Sequence, residues 1–287
     1  MKNNYKLSII TICLNEKDVE QTCQSIIGQN WQNFEWIVID GGSDLECLEV
    51  LEKYKHRMAY FISEKDNGIY DAMNKGIRLA TGEYLNFMNA GDCFCDENVL
   101  RDVFSVPQDA GVLYGNAAHW DKKRKCYQIL VSPPVLTIRY FFVACINHQS
   151  SFIRRELFHL YGVYDEQFRI AADWEKWLCF KKQGVMFHPL ARLIAVYGIH
   201  GISSLQKSVL EYEKRILIKR YSRGISDYLW VYARCSVKKF ILKRIAQVTP
   251  VRHWRYKIRS MYKTGEYEFL ESLTTQSSGE FGPASAK

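Results

Sequence analysis

The chain has 287 residues, of which 47% are hydrophobic and 24% charged, with a formal net charge of +8. This composition excludes a disordered chain, and the length suffices for one large domain or for one domain with an appendage. The longest apolar run, residues 140–146, is far shorter than the roughly 18 residues of a membrane-spanning helix. Without a signal-like amino terminus, and with nine cysteines that lack CxxC spacing, the sequence predicts a cytoplasmic protein with reduced thiols.

The first hundred residues alternate short apolar runs with segments of helical period, which is typical of a parallel α/β sheet. The pattern predicts strands at residues 7–14, 35–40, 59–63 and 84–89, and helices near 17–28, 44–55 and 69–80. The spacing Ser43-Asp44-Leu45-Glu46 predicts a capping box at the start of the second helix.

From about residue 112 the pattern changes. It predicts two strands joined by a charged hairpin turn, and then, in "NHQSSFIRRELF", a strand that leads into a helix. We interpret this part as a mixed extension of the sheet. After residue 205 the composition becomes basic and helical, so the predicted divisions are a domain at 1–205, a basic helical region at 206–270 and a disordered tail of small, polar residues at 271–287.

The basic character belongs to the C-terminal part. Residues 207–263 contain 16 Lys and Arg against three acidic residues, a net charge of +13 that leaves −5 for the rest. Within residues 225–248, apolar positions recur at helical spacing beside basic ones. Such a helix suits an anionic membrane surface, or it packs on the first domain with a solvated basic face. No nucleic-acid-binding motif is present, so we predict no nucleic-acid partner.

Polar side chains follow each of the four predicted strands. They stand at residues 15–16, 40–43, 64–68 and 89–92. The carboxyl ends of parallel strands meet at one edge of a sheet, where ligands bind in open α/β folds. Any one of these loops is also explained by ordinary turn chemistry, but four together favour a binding site.

The ordered series of segments resembles the family 2 glycosyltransferases with the GT-A nucleotide-sugar fold. The resemblance covers roughly residues 5–205 and rests on "SIITICLNE" at 8–16, "WIVIDGGSDL" at 36–45, "SEKDNGIYDAMNKGIRLATGEYLNFMNAGD" at 63–92, "NHQSSFIRR" at 147–155 and "YDEQFRIAADWEKWL" at 164–178. It implies an α/β fold with a mostly parallel central sheet flanked by helices, a C-terminal helical appendage, and a catalytic domain at 1–205.

A nucleoside diphosphate sugar carries two phosphates that a divalent cation neutralises through oxygen ligands. The family usually has an Asp-x-Asp motif after the fourth strand, whereas here Asn89 and Gly91 leave Asp92 as the acid. The resemblance implies Mn²⁺ or Mg²⁺ with Asp92 and His200 as metal ligands. His200 is alternatively a hydrogen-bonded structural residue.

The resemblance also implies a set of donor contacts. Asp40 is expected at the nucleoside or, alternatively, as a turn residue that bonds its own loop. Asp71 is either a partner of the helix dipole or a donor contact, and Lys75 either a phosphate ligand or a solvated lysine. The predicted donor-binding residues are Asn15, Glu16, Asp40, Asp66, Asn67, Asp71, Asn74 and Asn89.

An acceptor hydroxyl needs a base to take its proton. Asp173 in "AADWEKWL" matches the position of the base in the family, with Glu175 as the second candidate. Trp174 and Trp177 either stack on sugar rings or pack beneath the site. His148 and Gln149 are expected to line the acceptor or donor-sugar pocket.

The resulting prediction is an inverting glycosyltransferase of the bacterial surface-polysaccharide type. A UDP-linked sugar is predicted as the donor in preference to a GDP-linked one. The predicted acceptor is a hydroxyl of a glycan or lipid-linked oligosaccharide. The C-terminal helices would place it peripherally on the inner face of the plasma membrane. The alternative, motivated by Asn89 in place of an acid, is a catalytically weak nucleotide-sugar-binding or scaffolding subunit.

Overall fold

A computed structural model gives the arrangement of the chain. The described residues are 5–105, 109–121, 126–198, 206–224, 226–227 and 229–231. The chain divides into two compact units, Met1–Tyr232 and Ala233–Lys287. All described residues belong to the first unit.

The described strands form one sheet. They are β1 (Leu7–Cys13), β2 (Phe34–Asp40), β3 (Tyr60–Ser63), β4 (Tyr84–Phe87), β5 (Cys93–Phe94), β6 (Val112–Asp121), β7 (Cys126–Leu130), β8 (Ser151–Arg154) and β9 (Phe187–Gly198). Their order is β3-β2-β1-β4-β8-β6-β9-β5, with β7 paired to β6.

Helices cover both faces of this sheet. They are α1 (Val19–Ile27), α2 (Leu45–Tyr54), α3 (Ile69–Leu79), α4 (Val99–Phe104), α5 (Ile138–Phe141), α6 (Arg155–Tyr161), α7 (Ala172–Lys182) and α8 (Lys207–Tyr221), with single 3₁₀ turns at Lys55–Arg57 and His148–Ser150. The strands and helices predicted in the first hundred residues agree with these bounds to within two residues.

The sheet has a parallel half and a mixed half. Strand β1 pairs parallel with β2 and β4, and β2 pairs parallel with β3. Because β1 is covered on both faces, its sequence "LSIITIC" is almost continuously apolar instead of alternating. Strand β8 runs antiparallel to both β4 and β6, so the predicted mixed extension begins there.

Two hydrophobic cores lie on opposite faces, because successive strand residues point to opposite sides. Ile10 contributes to the core under α3 and α7, and Ile9 to the core under α1 and α2. Helix α3 lies so close to β1 that a Cβ at Gly76 would be 2.4 Å from Cγ2 of Ile10. Glycine at position 76 therefore sets the distance between this helix and the sheet.

The predicted capping box at the start of α2 is wrong by one residue. The N-cap is Asp44, whose side chain accepts the N–H of Cys47. The Ser43 hydroxyl is already used, since it donates to Asp40 and accepts the N–H of Asn15. A contact between two loops has thus moved the cap from Ser43 to Asp44.

Helix α8 packs on the sheet domain. Leu217 and Tyr221 are buried in the same core as α3 and α7, so the compact unit continues past residue 205, where the change in composition placed the boundary. Most of the amphipathic segment at 225–248 and all of the tail at 271–287 lie outside the described residues. Within the described part of the chain, the helices are too short or too polar to cross a membrane.

Candidate active site

The loops after β1 and β2 hold each other at the carboxyl edge of the sheet. The Asn15 N–H donates to Oγ of Ser43 over 2.8 Å, and the Asp44 N–H donates to Oδ1 of Asn15 over 2.7 Å. Asn15 has a φ of 52°, a left-handed conformation that asparagine tolerates. Asn15 therefore joins the two loops, and its contact with a donor stays a prediction.

The carboxylate of Asp40 is fully buried in its own turn. Its Oδ2 atom accepts the N–H groups of Gly42 and Ser43 over 3.1 and 3.0 Å, and the Ser63 hydroxyl over 2.7 Å. These are the contacts of the turn alternative. Oδ1 of Asp40 accepts the Ser43 hydroxyl, and the contact of Asp40 with a nucleoside stays a prediction.

Asp71 closes the start of α3. Its Oδ2 atom accepts the N–H of Asn67 over 2.9 Å, so the carboxylate sits where the helix dipole favours a negative charge. Lys75 pairs with Glu64 over 2.7 Å and with Asp71 over 3.5 Å. The dipole alternative thus accounts for the observed contacts of Asp71, and Lys75 is ion-paired.

Asp66 and Asn74 are engaged by the protein itself. Oδ1 of Asp66 accepts the N–H of Gly68 over 2.9 Å, and its Oδ2 atom lies 2.5 Å from the position of a Cβ at Gly41, so this side chain closes its own turn and lies against the second loop. Asn74 is fully buried, accepts the N–H of Tyr164 and donates both amide hydrogens, to the Tyr164 carbonyl and to Glu166. Both N–H groups of the Asn74 amide are therefore engaged by the protein, and its contact with a donor molecule stays a prediction.

The loop after β4 is a tight turn anchored by α1. The Thr22 hydroxyl donates to the Asp92 carbonyl over 2.7 Å and accepts the Gly91 N–H over 2.9 Å. Gly91 has a φ of 88°, a value that favours glycine. Cδ of Glu16 lies 3.1 Å from the position that a Cβ at residue 91 would take. This turn brings Glu16 and Asp92 to the same place.

The carboxyl group of Asp92 is 9% exposed. Burial raises its pKa from 3.8 to about 6, and the negative charge of Glu16 adds to that rise. Nε2 of Gln149 donates to the Oδ2 atom of Asp92 over 2.9 Å, and this bond lowers the pKa of Asp92. Asp92 is thus an acid held in an environment that disfavours its charge.

His148 joins the Asp92 loop to Asp173. Its Nδ1 atom lies 3.1 Å from Oδ2 of Asp173, and its Nε2 atom lies 3.1 Å from Nδ2 of Asn89. With the Asn89 amide donating, Nε2 accepts and Nδ1–H donates to the carboxylate, which assigns the neutral tautomer. Since Gln149 bonds Asp92, two adjacent residues hold the two acids.

Asp173 lies at the start of α7 and its side chain is 17% exposed. Its Oδ1 atom accepts the N–H of Trp174 over 2.8 Å. The Tyr70 hydroxyl lies 2.6 Å from the Ile170 carbonyl and 3.2 Å from Oδ1 of Asp173. Burial raises the pKa of Tyr70 well above its usual value, so it remains a hydroxyl. The carboxylate is therefore oriented from several sides but still reaches solvent.

The neighbours of Asp173 on α7 face the interior. Glu175 is 5% exposed and accepts a hydrogen bond from the Tyr221 hydroxyl, so the structure does not bring the second candidate base to the site. Trp177 is fully buried in the core, and the Trp174 indole donates to the Phe141 carbonyl. These contacts are those expected if both tryptophans pack beneath the site, and not those of side chains that stack on sugar rings.

The residues present fit a cation that takes some of its ligands from the protein and the rest from a bound substrate. Within the described ranges, no three His, Cys, Asp or Glu side chains cluster as a metal site. However, Oδ1 of Asn89 is buried without a hydrogen-bond partner among the described residues, and it belongs to the same turn as Asp92. Hard cations bind such oxygens and complete their coordination with phosphates and water. His200 lies outside the described residues.

Sequence reasoning missed the contacts of His148 and Gln149 with the two acids, and the predicted place of both residues in the acceptor or donor-sugar pocket stays a prediction. Their partners Asp173 and Asp92 are 25 and 57 residues away in the chain. No local pattern signals such pairs.

The sequence profile of the family described as "Glycosyl transferase family 2" matches residues 8–140. The chain is 30% identical over 202 residues to a "PGL/p-HBAD biosynthesis glycosyltransferase" of Mycobacterium bovis (strain BCG / Pasteur 1173P2), covering 68% of this chain and 77% of the relative. It is 32% identical over 173 residues to an uncharacterized glycosyltransferase of Mycobacterium tuberculosis (strain ATCC 25618 / H37Rv), covering 59% and 66%.

Two solved structures have a similar fold. S. aureus TarS 1-349 in complex with UDP-GlcNAc aligns with a TM-score of 0.62 at 17% identity, over 84% of this chain and 73% of that one. The mannosyltransferase PcManGT from Pyrobaculum calidifontis, in complex with GDP-Man and Mn²⁺, aligns with a TM-score of 0.54 at 14% identity, over 95% and 84%. The predicted GT-A fold is confirmed, and the chain belongs to the family 2 glycosyltransferases.

Proposed function

We propose that this chain transfers a sugar from a nucleoside diphosphate donor to an acceptor hydroxyl and inverts the anomeric carbon. The proposal is carried by one observation: two adjacent residues each bond one acid. Gln149 bonds Asp92, and His148 bonds Asp173. Both acids lie at the carboxyl edge of the sheet, where open α/β folds bind ligands.

Asp173 is the proposed base. As the acceptor oxygen bonds to the anomeric carbon, the bond from that carbon to the diphosphate oxygen breaks and its electron pair leaves with the diphosphate. The acceptor proton passes to the Asp173 carboxylate. The N–H groups of His148 and Trp174 donate to different oxygens of this carboxylate. Since each oxygen has two lone pairs, one remains open for the proton.

Asp92 and Oδ1 of Asn89 are the groups that would hold Mn²⁺ or Mg²⁺. When bound, the cation supplies positive charge beside the leaving diphosphate. Thr22 and Gly91 fix the turn that carries Asp92. Gln149 keeps the carboxylate oriented by bonding Oδ2.

A UDP-sugar is the favoured donor, of hexosyl or N-acetylhexosaminyl type. Support comes from the fold relative solved with UDP-GlcNAc, while another was solved with GDP-Man. The proposed acceptor is a lipid-linked glycan in polysaccharide biosynthesis. The support is the +13 charge of residues 207–263, which suits a surface that carries anionic lipids.

The test is transfer by the purified chain with a panel of UDP- and GDP-sugars and a lipid extract as acceptor source, with Mn²⁺, Mg²⁺ or a chelator. We expect Asp173→Asn to lower kcat by about 10²–10⁴-fold with little change in donor KM. Glu52→Gln, on an exposed face of α2, is the matched control. Donor binding without turnover, together with an unaltered Asp173→Asn phenotype in cells, would instead support the scaffolding alternative.

A further inference from the structure

A buried carboxylate from α8 contacts the segment that precedes the proposed base. Glu213 is 4% exposed. Its Oε1 atom accepts the N–H of Arg169 over 2.7 Å, and its Oε2 atom accepts the N–H groups of Ile170 and Ala171 over 3.0 and 2.9 Å. Three consecutive backbone donors thus converge on one side chain from another helix.

The three donors directly precede the first N–H groups of α7. Its N-cap is Ala171, which has no side-chain oxygen and makes no side-chain cap. The first N–H groups of a helix have no partner within that helix, and a negative charge beside them is favourable. Glu213 does not bond these N–H groups themselves, but it bonds those of residues 169–171 just before them, so its negative charge lies beside the start of α7.

The same segment is held from its other side. The Tyr70 hydroxyl of α3 donates to the Ile170 carbonyl over 2.6 Å. The peptide units before Asp173 are therefore fixed by Glu213 through their N–H groups and by Tyr70 through a carbonyl. Asp173 follows Ala171 by two residues, so its position depends on both contacts.

Helix α8 is itself anchored to this region. Arg220 pairs with Asp165 over 3.2 Å, and the Tyr221 hydroxyl donates to Glu175 of α7. Leu217 is buried in the shared core. Glu213 is therefore carried by a helix whose position relative to α7 is set by several independent contacts.

We infer that Glu213 is a positioning residue for the catalytic base, acting through the backbone of residues 169–171 on Asp173. The inference rests on the proposed function, in which Asp173 takes the acceptor proton. It means that catalysis depends on α8, which lies after the residues matched by the family profile and after the predicted boundary at 205. A misplacement of about 1 Å at a reacting group costs on the order of 10²-fold in rate. We therefore expect the loss of the Glu213 contacts to lower kcat.

Glu213→Gln is the direct test. It keeps the size of the side chain but replaces one acceptor oxygen by an NH₂ group that faces backbone donors. We expect kcat per folded molecule to fall by about 10–100-fold, with donor KM changed by less than about threefold. Glu211→Gln is the control, because Glu211 is on the same helix, is 65% exposed and pairs with Lys214. It should retain the wild-type rate.

A double-mutant cycle that combines Glu213→Gln with Asp173→Asn distinguishes a positioning role of Glu213 from general destabilisation. If Glu213 acts through Asp173, adding Glu213→Gln to Asp173→Asn lowers the residual rate no further. Multiplied losses, or a normal kcat per folded molecule in Glu213→Gln, would overturn the inference while leaving the proposed function intact. A full rate in Asp173→Asn alone overturns the proposed function and the inference with it.

A third variant covers the case in which Glu213→Gln does not fold. Glu213→Asp keeps the charge and both oxygens but shortens the side chain by one methylene. Its expected kcat lies between wild type and the 100-fold loss, again with donor KM unchanged. A wild-type kcat in folded Glu213→Asp contradicts the inference, and so do multiplied losses when Glu213→Asp is combined with Asp173→Asn.

Discussion

Nδ1 of His148 lies 3.1 Å from Oδ2 of Asp173, and the two side chains are only 15% and 17% exposed. The imidazole is held in place on its other side, where Nε2 accepts a hydrogen bond from Asn89. The proposed base is thus oriented by a residue whose second contact is the loop that carries Asp92. Asp173, the proposed base, is thus joined through His148 and Asn89 to the loop that carries Asp92, the proposed metal ligand.

Replacing His148 tests this link. We expect His148→Ala to lower kcat by about 10–100-fold, because Asp173 loses one of the donors that orient it. Donor affinity measured by titration should change far less. His159→Ala, an exposed histidine of α6 beside Arg155, is the matched control. A His148→Ala enzyme with normal kcat and weakened donor binding would place the residue in the sugar pocket instead.

The raised pKa of Asp92 predicts a pH dependence of stability. The folded-state pKa of about 6 exceeds the ordinary value of 3.8, so between these values the folded state binds more protons than the unfolded state. The contribution of this group is therefore greatest below pH 3.8 and is lost as pH rises through about 6. The shift corresponds to about 3 kcal/mol of destabilisation by ionised Asp92.

Asp92→Asn should remove this destabilisation. In chelator, we expect the variant to be more stable than wild type by up to about 3 kcal/mol at pH 7.5, with the difference shrinking towards pH 4. Urea unfolding across this pH range measures it, with the exposed Asp18→Asn as control. A difference that does not vary with pH would show that ionisation of Asp92 is not its cause.

The close approach of α3 to β1 predicts a steric effect at Gly76. In Gly76→Ala the new methyl group meets Cγ2 of Ile10 at 2.4 Å, so we expect a loss of about 1–3 kcal/mol in the free energy of unfolding. The same substitution in an Ile10→Ala background should cost less, because the opposing atoms are absent. Equal losses in both backgrounds would point to another cause.

The basic C-terminal segment predicts salt-dependent binding to anionic vesicles. We expect the full chain to sediment with phosphatidylglycerol vesicles but not with phosphatidylcholine vesicles, and to be released by salt. Replacing Lys238, Lys239, Lys243 and Arg244 with Gln should weaken binding on the order of 100-fold or more, at about 1 kcal/mol per charge.

A matched control tests whether position matters as well as charge. The exposed lysines Lys17, Lys53 and Lys65 of the sheet domain, replaced together by Gln, should leave vesicle binding nearly unchanged. Equal losses in the two sets of variants would indicate a dependence on total charge. Unchanged binding in the C-terminal variant would contradict a membrane-binding segment there.

Much of the fold could be predicted because its signals are local. The apolar run of β1 and the helical period of α3 lie within single segments of the chain, and hydrophobic periodicity specifies such elements directly. The gathering of Asp40 and Asp92 at one edge also followed from the sequence, because parallel strands present their carboxyl ends together. Asp173 was placed by an ordered series of motifs.

Tertiary structure decided which groups the candidate site residues bond within the protein. Asp40 is used by its own turn and Asn74 by the backbone at Tyr164, while Glu175 is bonded by Tyr221 of α8. The contacts from His148 to Asp173 and from Glu213 to residues 169–171 join segments 25 or more residues apart. The sequence by itself determined the elements, the family and the edge where the acids gather. Which acids stay available for chemistry was decided by hydrogen bonds between distant segments, because these form only when packing has brought their donors and acceptors within reach.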